Sequence, residues 1–207
     1  MKKLTSTLPN MVMSLGIITI AAAALLAWTH SVTEAPIAAA AKQKQIDAIK
    51  SVAPKFNNDP LSQAWTYTPD GSDSPFTVFP AYEDGTLTGA AVEGYTLNGF
   101  SGEIRVMYGF AADGTITGYE VLSHAETPGL GAKMNEWFRS DIGNRSVIGR
   151  NPANTEMRVA KDAGGTIDAI TAATISSRAF LDALRESYKA FVAYNGQKTT
   201  NTLADNE

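Results

Sequence analysis

The densest group of reactive side chains is Asp168-Ala169-Ile170-Thr171-Ala172-Ala173-Thr174-Ile175-Ser176-Ser177-Arg178, where an apolar run gives way to helical spacing. Hydroxyls at Thr171, Thr174, Ser176 and Ser177 stand among small residues, so a bulky group can approach them. A helix starting near Thr174 would present unpaired N–H groups and the positive end of its macrodipole, a combination that favours phosphate. Arg178, one turn on, would add a charge-assisted contact. On spacing alone the simpler reading of Thr174 is a helix cap worth about 1 kcal/mol. A second segment, His124-Ala125-Glu126-Thr127-Pro128-Gly129-Leu130-Gly131, lies between a strand pattern and a helix pattern. Gly129 and Gly131 would let backbone approach a flat ligand, Pro128 stiffens the loop, and Leu130 offers an apolar contact. On composition alone a plain strand-to-helix connection is the simpler reading here too. His124 and Glu126 make a poor metal site, because the chain has no cysteine and no other histidine nearby.

These segments need a scaffold, and the hydrophobic pattern supplies one. The folded domain begins around a loop-rich stretch from Asn57 to Pro75, within which Trp65 and Tyr67 suggest a first short strand. Strand-like runs follow at Phe76 to Tyr82, Leu87 to Thr96, Gly102 to Phe110 and Thr115 to Ser123, punctuated by Asp84-Gly85 and Asp113-Gly114. This spacing predicts an antiparallel meander. Met134, Trp137 and Phe138 mark a helix within Ala132 to Ser140, while Met157 to Ala160 and Thr166 to Ile170 read as another strand pair around Gly164-Gly165. A closing helix carries Phe180, Leu181, Leu184, Tyr188, Phe191 and Val192 as its buried stripe and ends at Asn195-Gly196. The fold class is therefore α+β, an antiparallel-rich sheet with packed helices.

The N-terminus adds an anchor. After Lys2 and Lys3 no charged residue appears until Glu34, and the apolar centre runs from Met11 to Trp28. Those positions span roughly 27 Å as a helix, close to a bilayer's roughly 30 Å core. A cleaved secretory signal competes, with Ala38 to Ala40 as the cleavage site, but the run exceeds a usual signal core and that site lies well past its end. A retained transmembrane helix is expected, with the basic N-terminus in the cytoplasm and the rest of the chain outside. Pro36 to Val52 reads as a short amphipathic stalk helix. The expected organisation is 1–33 for the N-terminus and anchor, 34–55 for the stalk, 56–195 for a globular domain and 196–207 for a polar tail.

Composition narrows the function. Without cysteine there is no disulfide scaffold, thiol nucleophile or all-cysteine iron–sulfur centre. Beyond Thr33 the chain has 15 basic against 21 acidic residues and no basic run, which argues against nucleic-acid binding. No glycine-rich dinucleotide fingerprint follows a predicted strand, so no NADH site is expected.

The Asp168 to Thr174 segment resembles the flavin-attachment motif of the flavoprotein subunits of Rnf electron-transport complexes and sodium-pumping NADH:quinone reductases. The His124 to Gly131 segment resembles the second motif of that family, and Ser176-Ser177-Arg178-Ala179 is closer to the G-type flavoprotein of Rnf than to the C-type flavoprotein of the quinone reductase. The resemblance covers nearly the whole chain. It implies an FMN joined through its phosphate to Thr174, attached by a flavin transferase that uses FAD as donor. It further implies that Asp168, Thr171 and Thr174 are recognised by that enzyme. Thr171, Ala172, Ala173, Ile175, Ser177 and Arg178 would surround the phosphate end, and Glu126, Thr127, Gly129, Leu130 and Gly131 would lie beside the ring. The partners implied are the other membrane subunits of an ion-translocating ferredoxin:NAD+ oxidoreductase, in which this chain relays electrons and has no complete activity alone. The equivalent flavoprotein of the quinone reductase and a cofactor-free structural subunit are the alternatives. One departure from the motif is Ala172, at a place the family usually gives to glycine.

Overall fold

The computed structural model describes residues 7–69 and 75–204, with side chains described as far as residue 197. Lys2 and Lys3, residues 70–74 of the expected loop and the last residues of the polar tail fall outside that description. The chain divides into two compact units, 1–44 and 45–207.

The first helix, α1, runs Leu8–Val52 and crosses the boundary between the units, so the expected anchor and stalk form one element. Pro36 lies inside it and removes one backbone donor without ending it. In the first unit α1 has an 18-residue stretch of mean hydropathy 2.2, none of it buried. Four of its hydroxyls are satisfied within the helix: Thr19, Thr29 and Thr33 donate to carbonyls four residues back at 2.8–2.9 Å, and Ser31 donates to the Trp28 carbonyl. A span through hydrocarbon requires such internal satisfaction, because no water is there to serve polar groups.

In the second unit five antiparallel strands form one sheet in sequence order: β1 (Trp65–Tyr67), β2 (Phe76–Glu83), β3 (Thr86–Gly99), β4 (Gly102–Ala111) and β5 (Ile116–His124). This is the expected meander, with strand ends shifted by no more than three residues. Alternation along the strands serves both faces. Val78, Ala90, Val92, Val106, Tyr108 and Phe110 join the larger core, while Phe79, Ala91 and Met107 meet Ala48, Ile49 and Val52 from the end of α1. Gly109 lets that end press onto the sheet, since a Cβ there would strike the Val52 carbonyl. Thr117 donates a 2.5 Å hydrogen bond to the same carbonyl and caps α1 just ahead of Pro54.

A 3-10 turn, Gly131–Lys133, leads into α2, Met134–Trp137, which is shorter than the expected helix. The expected strand pair beyond it is not formed: among the described residues there, only Val159 and Ile167 make an isolated parallel bridge. The N–H groups of Thr166 and Ile167 both turn to the Arg158 carbonyl, so no second rung follows. Val147, Met157, Val159, Ile167 and Ile170 still face inward and fill the end of the larger core.

The last helix, α3, spans Thr174–Ala204 and lies across the sheet, mainly over β3. It passes through Asn195-Gly196, the expected end. Its buried stripe holds Phe180, Leu184, Ser187, Phe191 and Tyr194. Val192 is 48% exposed because one residue past Phe191 lies about 100° around the helix, given 3.6 residues per turn. Phe180 anchors the start of α3: its ring stacks on Phe138 at 4.4 Å between centroids and meets Tyr119 edge-on at 4.9 Å. The fully buried Tyr108 donates to the Phe180 carbonyl at 2.8 Å, and burial raises its phenol pKa well above the ordinary value.

Candidate functional site

The two segments singled out in the sequence meet around one open pocket of about 320 Å³, lined by Phe100, Glu126, Thr127, Leu130, Gly131 and the run Ala172 to Ser176. One wall is the loop after β5. The opposite wall is the junction leading into α3, and Phe100 comes from the β3–β4 turn.

The junction is shaped by a tight turn in which the Ala173 N–H donates to the Ile170 carbonyl at 3.0 Å. Ala172, third in that turn, has φ +61, in the left-handed region where glycine is favoured. This is a backbone reason for glycine at the position where the sequence departs from the family pattern. Ala172→Gly is expected to remove a strain of about 1 kcal/mol, partly offset by the freer unfolded chain. The net gain of about 0.5 kcal/mol corresponds to roughly 1–2 °C in Tm for a chain of this size, measurable by thermal unfolding.

Helical geometry begins at Thr174, so Ala173 occupies the capping position instead. Its carbonyl accepts the first intrahelical bond, from the Ser177 N–H at 3.0 Å. Thr174 is thus not the cap expected from the sequence, and its side chain is half-buried at the pocket edge. Ser177 is fully buried: its hydroxyl donates to the Ala173 carbonyl and accepts from the Ile170 N–H, each at 2.9 Å, which fixes the turn from beneath.

Glu126 is only 4% exposed. One carboxylate oxygen accepts the Ser101 N–H at 2.9 Å and the other accepts a short hydrogen bond from the Ser176 hydroxyl. The Glu126 N–H donates to His124 Nδ1 at 3.1 Å. Gly131 packs against this arrangement: a Cβ there would lie 2.5 Å from Ser176 Oγ and 2.6 Å from a Glu126 carboxylate oxygen. Gly129 differs, because its surroundings are open and its φ of +77 is what calls for glycine. Apolar surface rims the opening, with Leu130 40%, Ile175 49% and Phe100 68% exposed.

Five expected site residues lie outside the lining, the exposed Gly129 among them. Thr171 is exposed on the turn. Asp168 clasps the preceding loop, its carboxylate accepting the Asn144 N–H and its own N–H donating to the Asn144 carbonyl, both at 2.9 Å. Ser177 sits beneath the turn. Arg178 points to a different groove, where Nε and an Nη donate to Asp162 at 2.8 and 2.6 Å and hold that carboxyl below the usual carboxylate range. Among the described residues no lysine or arginine lines the pocket, so an anion there is met by the start of α3. Phe100 was not singled out in the sequence; the only signal available was an aromatic residue at a hairpin tip, where Gly, Asn or Asp is usual.

A pocket with an apolar rim for a flat ring and a helix start for a phosphate suits a mononucleotide such as a flavin. In agreement, residues 99–189 match the FMN-binding domain family, from the Phe100 turn through the first half of α3. Similar proteins are the G-type components of the ion-translocating oxidoreductase complexes of Cereibacter sphaeroides, Vibrio cholerae and Aliivibrio fischeri. The first is 35% identical over 183 residues, covering 86% of this chain and 81% of its own length. The second is 33% identical over 171 residues, covering 79% and 80%, and the third 32% identical over 191 residues, covering 88% and 89%. The chain belongs to this family of G-type components of ion-translocating oxidoreductase complexes. With its long apolar N-terminal helix it is a single-pass membrane protein.

Proposed function

We propose that this chain is the flavin-carrying electron-relay subunit of an Rnf-type ferredoxin:NAD+ oxidoreductase, holding FMN through a phosphodiester to Thr174. The observation that carries the reading is the meeting of Glu126 to Gly131 with Ala172 to Ser176 around one pocket with Thr174 at its edge. In the attachment step the Thr174 oxygen bonds to the FMN-side phosphorus of FAD while the pyrophosphate bond breaks, AMP leaves and the hydroxyl proton is lost. A flavin transferase catalyses this step, and Asp168 and Thr171 belong to the segment it recognises. The resulting diester carries one negative charge, fewer than a free phosphate ester, which fits a pocket where a helix start and no side-chain cation meets the anion.

Bound flavin can accept electrons as a pair and pass them on singly. The chain's own residues do the rest. Leu130 and Ile175 would cover the ring, Gly131 would give it close backbone, and Glu126 with Ser176 fixes one wall to the other. Covalent attachment would keep the cofactor from being lost outside the cytoplasm, the side that Lys2 and Lys3 before the uncharged span favour for the globular domain. A reporter fused after Glu207 should be active only in the extracytoplasmic compartment; activity in the cytoplasm would reverse the topology. The ion-translocating machinery and the NADH site belong to the partner membrane subunits. The deciding experiment is an intact-mass measurement of the chain produced with its flavin transferase, expected to show FMN added less one water. A chain of unmodified mass would favour the cofactor-free structural reading.

A further inference from the structure

The turn carrying Phe100 is built unlike a turn that merely reverses the chain. Thr96 pairs with Ile104 and Gly99 with Gly102, so Leu97 and Asn98 together oppose the single Glu103. A bulge of this kind re-aims the strand end. Phe100 and Ser101 then occupy the two tip positions. Two-residue tips ordinarily take Gly, Asn or Asp for their backbone needs, and a phenyl ring supplies none of these. The ring is also not used by the core, since it remains 68% exposed at the pocket.

The tip is nevertheless held from below. Ser101 donates its N–H to Glu126. A Cβ on Gly99 would lie 2.8 Å from the same carboxylate oxygen and 3.0 Å from Ile104 Cδ1, so the turn sits directly on that side chain. The other carboxylate oxygen binds Ser176, two residues after Thr174. One buried carboxylate thus links the Phe100 turn to the helix start that bears the attachment hydroxyl.

We propose that Phe100 is the ring-contacting residue that covers the isoalloxazine of the attached flavin, and that Glu126 is the positioning residue that holds Phe100 there through Ser101. The proposal rests on the flavin reading above. A flat heteroaromatic ring is the occupant that matches a phenyl group, Leu130 and Ile175 arranged around a pocket ending at Thr174, because aromatic pairs gain from offset stacking or edge contact beyond their buried area.

The test uses the full-length chain produced with the flavin transferase, with intact mass recorded for every variant. Phe100→Trp places an indole, an efficient contact quencher of flavin emission, at an exposed position that tolerates it. The expected result is a severalfold loss of flavin fluorescence with the adduct intact. Phe100→Ala should instead make the flavin severalfold more accessible to iodide. In the Phe100→Trp background, Glu126→Gln retains an acceptor for Ser101 and a partner for Ser176 and should keep the quenching, whereas Glu126→Ala should release it. Undiminished emission in Phe100→Trp overturns the contact. Equal quenching with Gln and Ala at 126, or an alanine variant that fails to fold, withdraws the positioning role. A wild-type chain without the adduct removes the flavin reading and this proposal together, whereas an adduct with unchanged emission removes only the proposal.

Discussion

Replacing Thr174 with alanine is expected to abolish the covalent flavin while leaving the domain folded. A phosphodiester needs one hydroxyl, and among Thr171, Thr174, Ser176 and Ser177 only Thr174 combines a place at the pocket with freedom from structural duty. Thr171 is exposed outside the lining, Ser176 is committed to Glu126, and Ser177 is buried with both its bonds inside the turn. Because Ala173 and not Thr174 occupies the capping position, the substitution loses no cap, and alanine is the better helix former by up to about 0.7 kcal/mol. The variant should therefore be made and inserted at wild-type levels, yet be colourless after denaturation. Wild type should keep a flavin that migrates with the denatured chain, and proteolysis should place it on the Asp168 to Arg178 peptide. Thr174→Ser keeps the hydroxyl without the methyl and should retain at least part of the modification. An adduct surviving in the alanine variant would place the bond elsewhere.

Gly131→Val is expected to produce the second largest effect, and the structure separates it from Gly129→Val, which the sequence treats alike. At Gly131 the first added carbon meets Ser176 Oγ and the Glu126 carboxylate at 2.5–2.6 Å, and Glu126 Cβ at 2.9 Å. The side chain cannot enter without parting the Glu126–Ser176 hydrogen bond. Overpacking of this kind costs about 3 kcal/mol at the upper end of its usual range. That corresponds to roughly 6–12 °C in Tm for a chain of this size. The visible circular dichroism of the flavin should change with it. At Gly129 the space is open and the cost lies in φ, about 1–2 kcal/mol for any residue with a Cβ, so the flavin signals should move less. Equal effects at the two glycines would mean that the contact at Gly131 is not what matters.

Much of the architecture was legible because it depends on short-range pattern. Period-two alternation and the Asp-Gly turns determine the five-strand meander, and the uncharged run from Leu4 to Thr33 determines an apolar helix of spanning length. The strand pair expected around Gly164-Gly165 failed because an apolar run records only burial. Val159 and Ile167 are buried as core filler, and whether they also form a ladder depends on where the neighbouring N–H groups point. The end of α3 was set too early at Asn195-Gly196, because Asn-Gly favours a stop only locally, while the turn just before it is held to the sheet by Tyr194, packed against Trp65 and hydrogen-bonded to Tyr82.

For the site, residue types and spacing singled out the two segments, since hydroxyls among small residues and a Pro-Gly loop are local features, but each had a simpler structural reading on spacing alone and the family resemblance is what pointed to a flavin there. Tertiary structure decided that the segments face one pocket, that Arg178 turns to Asp162 and leaves the pocket without a lysine or arginine among the described residues, and that Phe100 joins from 26 residues before Glu126. It also gave Ala172 and the two loop glycines distinct backbone and packing reasons. Side-chain direction and contacts between distant strands depend on the packed core, and that core forms only when α3 closes over the sheet.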